Sequence, residues 1–268
     1  MPRPKTKAPL MTNLAGGVAT VTLNRPQVHN AFDDDLIKRL TNEFAGLDRD
    51  PTVRAIVLNA EGKSFCAGAD LNWMRRMADY DRMENLEDAM GVATLMKTVA
   101  RCTKPTVASV QGAAYGGGVG LVAACDIAIA VKSAKFCLSE ARLGLIPATI
   151  GPYVVAAMGE RQARRYMMTT EVFSADEARR VGLVHEVVAA RDLKKSVKDM
   201  VAQLLLSGPH ALTEVKNLVL YASGATTDDE KTLSDTAGHL ARVRSGPEGK
   251  EGVTAFLQKR KPEWVKKR

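Results

Sequence analysis

Three successive glycines, Gly116-Gly117-Gly118, follow Gln111-Gly112-Ala113-Ala114-Tyr115 and lie between two apolar runs, which narrows the folds open to this chain. Thr106-Val107-Ala108-Ser109-Val110 before them has the composition of a buried strand. Leu121 to Cys125 after them reads as a short apolar helix, and Asp126 leads into a second buried strand, Ile127-Ala128-Ile129-Ala130-Val131. Residues without a Cβ let backbone N–H groups come close to a ligand or to another segment. A helix that begins just past them adds unpaired N–H groups and the positive end of its dipole. The stretch can therefore hold negative charge, either a phosphate or an oxyanion that develops during a reaction. It also allows a helix and a strand to pack closely with no ligand at all. A third reading is a dinucleotide fingerprint, because Gly118-Val119-Gly120-Leu121-Val122-Ala123 fits the relaxed GxGxxA form and Glu140 follows about twenty residues on. Against it, the motif starts several residues past the strand, and the helix before Asp126 is shorter than two turns. No Lys-Ser/Thr follows the glycines, so this is not a phosphate P-loop.

Ser64-Phe65-Cys66-Ala67-Gly68-Ala69-Asp70-Leu71 repeats the arrangement. A strand at 55–58 precedes it, a helix follows, small residues expose the backbone, and Asp70 is placed to cap the helix. By itself this is an ordinary turn. Two such junctions from separate segments, however, supply the two N–H donors that an oxyanion hole requires. A third segment, Phe136-Cys137-Leu138-Ser139-Glu140-Ala141-Arg142-Leu143-Gly144-Leu145-Ile146-Pro147, puts a carboxylate between an apolar strand and an apolar loop. Glu140 either pairs with Arg142 at the surface or is partly desolvated, with a raised pKa suited to proton transfer.

Around these segments strands and helices alternate. Gly17–Asn24 reads as a strand that stops at Arg25-Pro26, and residues 33–47 place Leu36, Leu40, Phe44 and Leu47 at helical spacing. Residues 54–59 form a strand, 61–69 a loop, and 71–101 a methionine-rich helical stretch broken near Tyr80. Past residue 150 helical patterns take over, at 161–169, 174–181, 192–206, 209–221, 228–243 and 247–259. Pro209 and Pro247 suit first turns, and Ser174 with Glu177 fits a capping box. The expectation is an α/β core over 1–200 and a helical C-terminal region over 201–268. Trp73, Met74, Met77 and Met83 are either helix core or an adaptable wall for an apolar ligand.

Bulk properties remove several function classes. Of the formal net charge of +8, three come from residues 1–7 and five from 259–268, so the body is neutral and lacks a nucleic-acid footprint. No apolar run approaches the roughly 20 residues that cross a bilayer, and the basic N-terminus lacks a signal-peptide core. Cys66, Cys102, Cys125 and Cys137 lie in apolar contexts without a CxxC pair, which implies reduced thiols and a cytoplasmic protein. His29, His185, His210 and His239 show no metal-ligand spacing, so no metal is expected.

In chain order these motifs resemble the enoyl-CoA hydratase/isomerase (crotonase) superfamily. They are Asn24-Arg25-Pro26 with Asn30-Ala31, Phe65 to Leu71, Gly116-Gly117-Gly118 with Cys125-Asp126, Glu140 with Leu143 to Pro147, and Gly252 to Arg260. The resemblance runs from about Gly17 to Trp264. It implies a crotonase-like α/β core of repeated ββα units, a C-terminal helical trimerisation region, and a homotrimer or dimer of trimers. It also implies an acyl-CoA substrate, with coenzyme A entering as part of that substrate and no separate cofactor. By position, Ala69 and Gly117 would offer their N–H groups to the thioester oxygen, and Glu140 would be a catalytic carboxylate. Val28, His29 and Ala31 would lie against the CoA, while Ala67, Gly68, Asp70, Leu71 and Gly116 would line the CoA and acyl path. Phe256 and Lys259 would approach the CoA from the last helix, Lys259 near its phosphate. The family also holds an RNA-binding hydratase with a lysine-rich first helix. Residues 33–49 here carry five acids against three bases, so RNA binding is not carried over.

One departure bears on the chemistry. Hydratases of the family usually place a second glutamate where this chain has Gly120. Two carboxylates divide the work of activating water and moving the proton at C2, whereas the family's isomerases run on one. Ser139 to Leu143 together with Ala148-Thr149-Ile150-Gly151-Pro152-Tyr153-Val154-Val155 is nevertheless similar to bacterial 3-methylglutaconyl-CoA and isohexenylglutaconyl-CoA hydratases. The expected activity is hydration of a 2-enoyl-CoA with a branched acyl group. Double-bond isomerisation by Glu140 alone is the alternative, and a nucleotide-binding module is the alternative from another class.

Overall fold

A computed structural model describes residues 8–224 and 230–265. The basic residues of 1–7, Lys266, Lys267 and Arg268 lie outside the described residues, as does Asp228, the expected start of a helix. In chain order, β1 (Leu10–Ala15) and β2 (Val18–Leu23) are followed by α1 (Asp34–Arg49), β3 (Ala55–Ala60) and β4 (Ser64–Cys66). Then come α2 (Leu71–Met77), α3 (Arg82–Ala100), β5 (Thr106–Val110), β6 (Ala113–Tyr115), α4 (Gly117–Ala124), β7 (Ile127–Val131) and β8 (Lys135–Cys137). The remainder is α5 (Gly151–Met158), α6 (Glu160–Thr169), β9 (Phe173–Ser174), α7 (Ala175–Arg180), β10 (Glu186–Val188), α8 (Leu193–Leu204), α9 (Pro209–Ala222), α10 (Glu230–Ser245) and α11 (Pro247–Leu257).

The strands sort into two sheets. The larger has the order β1-β2-β3-β5-β7-β10, and the smaller β4-β6-β8-β9. Strands β2, β3, β5, β7 and β10 all run parallel, with β1 added antiparallel at the edge. Each strand pair β3–β4, β5–β6 and β7–β8 sends its first strand to the large sheet and its second to the small one. Parallel neighbours require a crossover, and α1, α3 and α4 supply those returns. The expected strands at 17–24, 54–59, 106–110 and 127–131 are present, as are the buried Leu36, Leu40, Phe44 and Leu47 of α1. The break near Tyr80 is also present: α3 starts from a capping box in which Asp81 and Glu84 bond each other's backbone N–H groups.

Several elements differ from the sequence reading, in both sheets and their neighbours. The expected loop at 61–69 contains β4, and β6 lies inside the glycine stretch. Strands of three residues are too short to show an alternation. Helix α4 starts at Gly117, four residues before the expected Leu121, so Gly118 and Gly120 lie inside a helix. Strands β1, β9 and β10 and helix α5 are additions. At Ser174 half of the capping box forms: its hydroxyl accepts from Glu177 N at 3.2 Å, while the Glu177 carboxylate is engaged by Tyr166 and Arg180.

The edge at which the parallel strands begin is covered by the last helices. Lys216 on α9 pairs with Asp126 at 2.7 Å, Thr213 donates to Thr103 O at 3.1 Å, and Arg54 donates to Ser207 O at 2.9 Å. Helix α11 is held on α9 by Glu248, which accepts from His210 N at 3.0 Å and Ala211 N at 2.7 Å. Helix α8 packs on β5 and β7, whereas α9 and α10 have no buried residue among those described. No helix among the described residues is long and apolar enough to cross a membrane.

Candidate active site

The opposite edge, where the parallel strands end, gathers the three segments singled out above. After β4 the chain passes through Ala67 and Gly68, and Gly68 takes φ +91°, a conformation that suits a residue without a Cβ. After β6 it turns at Gly116 with φ +49° and enters α4 at Gly117. The two turns touch: a Cβ on Gly68 would sit 3.1 Å from Tyr115 O, and one on Gly116 3.8 Å from Gly68 Cα. A Cβ on Gly118 would meet Cys66 O at 2.4 Å. The glycines thus have the close-packing role, and that packing brings the Ala69 and Gly117 backbones to one place.

Both N–H groups are available there. Gly117 opens α4, and the first N–H of a helix has no partner within it. Ala69 forms a parallel bridge with Phe32, in which Phe32 N donates to Gly68 O at 2.6 Å and Asp70 N donates to Phe32 O at 2.7 Å. That pattern uses the groups on either side of Ala69 and leaves its own N–H facing away from Phe32. A dinucleotide loop is excluded by the same geometry, since Gly118 and Gly120 are packing positions within a helix.

Glu140 reaches this place from the third segment. It opens a short 3-10 turn, Glu140–Leu143, that follows β8, and Gly116 N donates to Cys137 O at 2.9 Å to join that strand to the glycine turn. Its Oε1 would lie 3.1 Å from a Cβ on Gly116, so the carboxylate packs directly over that glycine. Its Oε2 is buried without a hydrogen-bond partner. Burial pushes the Glu140 carboxyl above the usual carboxylate range, partly offset by a backbone hydrogen bond. The alternative pairing with Arg142 does not form: the Arg142 guanidinium donates to Thr170 Oγ1 at 2.6 Å.

The place of the missing second carboxylate is occupied. A Cβ on Gly120 would meet Ile150 Cγ2 at 2.2 Å and Met96 Cε at 3.3 Å. Ile150 is 2% exposed, so an apolar side chain fills the volume a longer residue at 120 would need. The sequence reading named the 148–155 segment but not this role for Ile150. Phe32 and Asn30 were also missed as organisers. Asn30 is fully buried at φ +55° and donates to Glu61 O at 2.8 Å and Ser64 O at 2.9 Å. An asparagine just after Arg25-Pro26 is the signal that could have found it, since asparagine tolerates left-handed backbone.

The expected ligand-contact residues divide into groups. Ala67, Leu71 and His29 are exposed beside the junctions, Val28 is half-buried, and Gly68, Gly116 and Ala31 are buried beneath them. His29 Nδ1 lies 3.0 Å from Ser64 Oγ. Asp70 is committed elsewhere: its carboxylate accepts from Asn72 N at 2.8 Å and pairs with Arg25 at 3.1 Å, so it caps α2 rather than facing a ligand path. Arg25 also reaches Asp33 at 2.8 Å and Ala31 O at 2.7 Å. Phe256 and Lys259 are not brought to Glu140 by their own chain. Phe256 lies in the last turn of α11 and Lys259 just past its end, and α11 packs on α9 and α10 at the strand-start edge, with Phe256 81% exposed. Trp73 is buried and donates to Asp88 at 2.9 Å, whereas Met83 is exposed on α3. Burial pushes the thiols of Cys66, Cys102 and Cys125 up to about 12, which leaves them unreactive. Among the described residues no cluster of His, Cys, Asp or Glu could hold a metal ion.

The chain is similar to known proteins over most of its length. The family model for enoyl-CoA hydratase/isomerase matches residues 13–267. The crystal structure of an enoyl-CoA hydratase from Shewanella pealeana superposes with a TM-score of 0.93 at 43% identity, covering 96% of each chain. A crotonyl-CoA hydratase from Syntrophomonas wolfei is 32% identical over 93% of this chain and 95% of its own length. A 1,2-epoxyphenylacetyl-CoA isomerase from Escherichia coli is 32% identical over 96% of this chain and 98% of its own.

Proposed function

Since the chain belongs to the enoyl-CoA hydratase/isomerase family, we propose that it adds water across the 2,3 double bond of an enoyl-CoA thioester, with Glu140 carrying the proton. The observation behind this reading is the buried, unpartnered Oε2 of Glu140, set over Gly116 beside the Ala69 and Gly117 N–H groups. A desolvated carboxylate next to two converging donors is the pairing that proton transfer near a thioester carbonyl needs.

In this reading the thioester oxygen accepts from Ala69 N and Gly117 N, which draws electron density from C3. Glu140 takes a proton from water as the water oxygen bonds to C3. The charge that builds on the thioester oxygen is held by the two N–H groups. Glu140 then returns the proton to C2 and is regenerated. One O–H bond and the π bond between C2 and C3 break, and one C–O and one C–H bond form. Coenzyme A enters with the substrate, and neither a cofactor nor a metal takes part. The favoured acyl group is a branched, 3-methylglutaconyl type, supported by the similarity at 139–143 and 148–155.

A second reading is double-bond isomerisation, and Ile150 favours it. With apolar side chains over Gly120, no second carboxylate is at hand to orient water. A proton moved between C2 and C4 needs only Glu140. The exposed apolar residues of α9–α11, Val219, Leu233, Leu240 and Leu257 among them, support a homotrimer or dimer of trimers. The buried thiols fit a cytoplasmic enzyme.

A small panel of 2-enoyl- and 3-enoyl-CoA esters, scored separately for hydration and for migration of the double bond, tests these readings. Formation of 3-hydroxyacyl-CoA is the expected result. Migration without hydration makes the chain an isomerase. Calorimetric binding of NAD(H) without binding of acyl-CoA would overturn both.

A further inference from the structure

We infer that Phe32 is a positioning residue that sets the spacing of the two N–H donors; this rests on the acyl-CoA reading above. One residue touches both donors by two different means. Its backbone clamps the first: Phe32 N donates to Gly68 O at 2.6 Å and Phe32 O accepts from Asp70 N at 2.7 Å, which brackets Ala69 on both sides. Its ring fixes the second. A Cβ on Gly117 would lie 2.6 Å from Phe32 Cε2 and 2.8 Å from Cδ2, so the ring lies directly against the Gly117 backbone. Phe32 is 2% exposed and has no function at the surface.

The clamp is itself held. Ala67 N donates to His29 O at 3.0 Å, extending the contact of 29–32 with 67–70. Arg25 ties Ala31 O to the Asp70 carboxylate. Asn30 fastens the same loop to Glu61 and Ser64. The rigid body formed in this way ends in a flat ring pressed against the start of α4. Interiors packed at this density transmit small displacements rather than absorb them. The separation of Ala69 N and Gly117 N is therefore set by the thickness of one aromatic side chain together with the direct contact of the Gly68 and Gly116 turns. Gly117 is glycine because that ring occupies the volume a Cβ would need, not only because the backbone must approach a substrate.

The role is tested by polarisation of a bound carbonyl, which loss of general stability does not mimic. A conjugated acyl-CoA such as 2,4-hexadienoyl-CoA absorbs at longer wavelength when two donors pull on its thioester oxygen. Spectra are recorded on the full-length protein in a Glu140→Gln background that slows conversion. Kinetics are measured with Glu140 intact. In Phe32→Leu the red shift should shrink and kcat fall roughly 10- to 100-fold, with KM and chromophore Kd within about threefold, since only transition-state stabilisation is lost. Gly117→Ala keeps its N–H and pushes on the same contact from the other side, so its red shift should shrink too. The double variant Phe32→Leu/Gly117→Ala relieves the collision and should recover part of the shift. Unchanged shift and kcat in a folded Phe32→Leu would overturn the role. If Phe32→Leu does not fold, an unchanged shift in Gly117→Ala overturns it instead. A parent protein that binds the chromophore with no red shift, or does not bind it, sinks the acyl-CoA reading and this inference together, and is recognised before any Phe32 variant is compared.

Discussion

Glu140 is a carboxylate kept where folding alone would not keep one. Burial raises its pKa, so in the folded protein the protonated form is favoured relative to the unfolded chain. The sign for stability follows. Any contribution from protonating Glu140 is fully present below the unfolded value and is lost as pH rises through the raised folded value. At neutral pH the charged group therefore weakens the fold. Glu140→Gln should melt at higher temperature than the parent near pH 7, and the gap should close below about pH 4, where both states are neutral. The same variant should lose roughly 10²–10⁴-fold in turnover. A variant that keeps near-normal turnover removes Glu140 from the chemistry, and one that melts lower at pH 7 contradicts the desolvation account. Because the carboxylate must be charged to accept a proton, kcat/KM for hydration should fall as pH drops through its raised pKa. Two surroundings for this residue were readable from the sequence, a surface pair with Arg142 or partial desolvation, while its catalytic role came from the resemblance; the structure has the desolvated one. Its neighbours were not readable. Ile150 is one apolar residue among many in 148–155, and only the fold sets it 2.2 Å from a Cβ on Gly120. Gly120→Glu should therefore destabilise by about 1–3 kcal/mol through overpacking and lower the rate. Adding Ile150→Ala should return much of the stability, read from denaturant midpoints.

At the scale of elements, the ends of helices and short strands carry the site. The Asp70 carboxylate caps α2 and pairs with Arg25, and the Asp70 and Arg25 side chains are 7% and 16% exposed. Asp70→Ala removes a cap and leaves a largely buried guanidinium with one carboxylate partner fewer. It should cost about 3 kcal/mol, read as a shift of the urea midpoint at constant slope. A shift well under 1 kcal/mol would mean that Asp33 alone satisfies Arg25. The cap itself could be read from Asp70 before a helical pattern. That it excludes Asp70 from a ligand path could not, because Arg25 is far away in sequence. The same holds for the sheets. Four strands of the large sheet, β2, β3, β5 and β7, are largely apolar runs such as Ile127 to Val131 and are visible in sequence, whereas the edge strands β1 and β10 are not. Strands β4 and β6 are three residues each, made of Ser64-Phe65-Cys66 and Ala113-Ala114-Tyr115, and only their neighbours make them strands. Helix α4 reads as beginning at Leu121 because glycines are poor helix formers. Close packing against Cys66 and Ile150 outweighs that preference for Gly118 and Gly120.

At the scale of the whole molecule, α9 and α10 bury no residue among those described, although they span 14 and 16 residues. Helices of that length are marginal in water without a packed face. Val219, Leu233, Leu240 and Leu257 are 62%, 61%, 57% and 72% exposed, and the proposed oligomer would cover the faces they offer. Light scattering should give a mass that is a multiple of the 28.9 kDa chain. Leu257→Asp should shift it toward the monomer if this face is the interface. The position of α11 sharpens the point. It lies at the edge where strands begin, while Glu140 lies where they end, so Phe256 and Lys259 are expected to serve a CoA in another copy's site. Lys259→Ala should then raise KM for acyl-CoA with little change in kcat, as loss of a remote phosphate contact does. Mixed oligomers separate this from action within one chain. Glu140→Gln subunits keep Lys259, and Lys259→Ala subunits keep Glu140. Refolded together, some sites should combine the intact Glu140 of one subunit with the intact Lys259 of its neighbour. The mixture should then show a component with parental KM that neither variant has alone. Kinetics equal to the weighted sum of the two separate variants would mean that Lys259 does not reach across, and that the CoA is held by Val28, His29, Ala31 and Ala67 of the same chain.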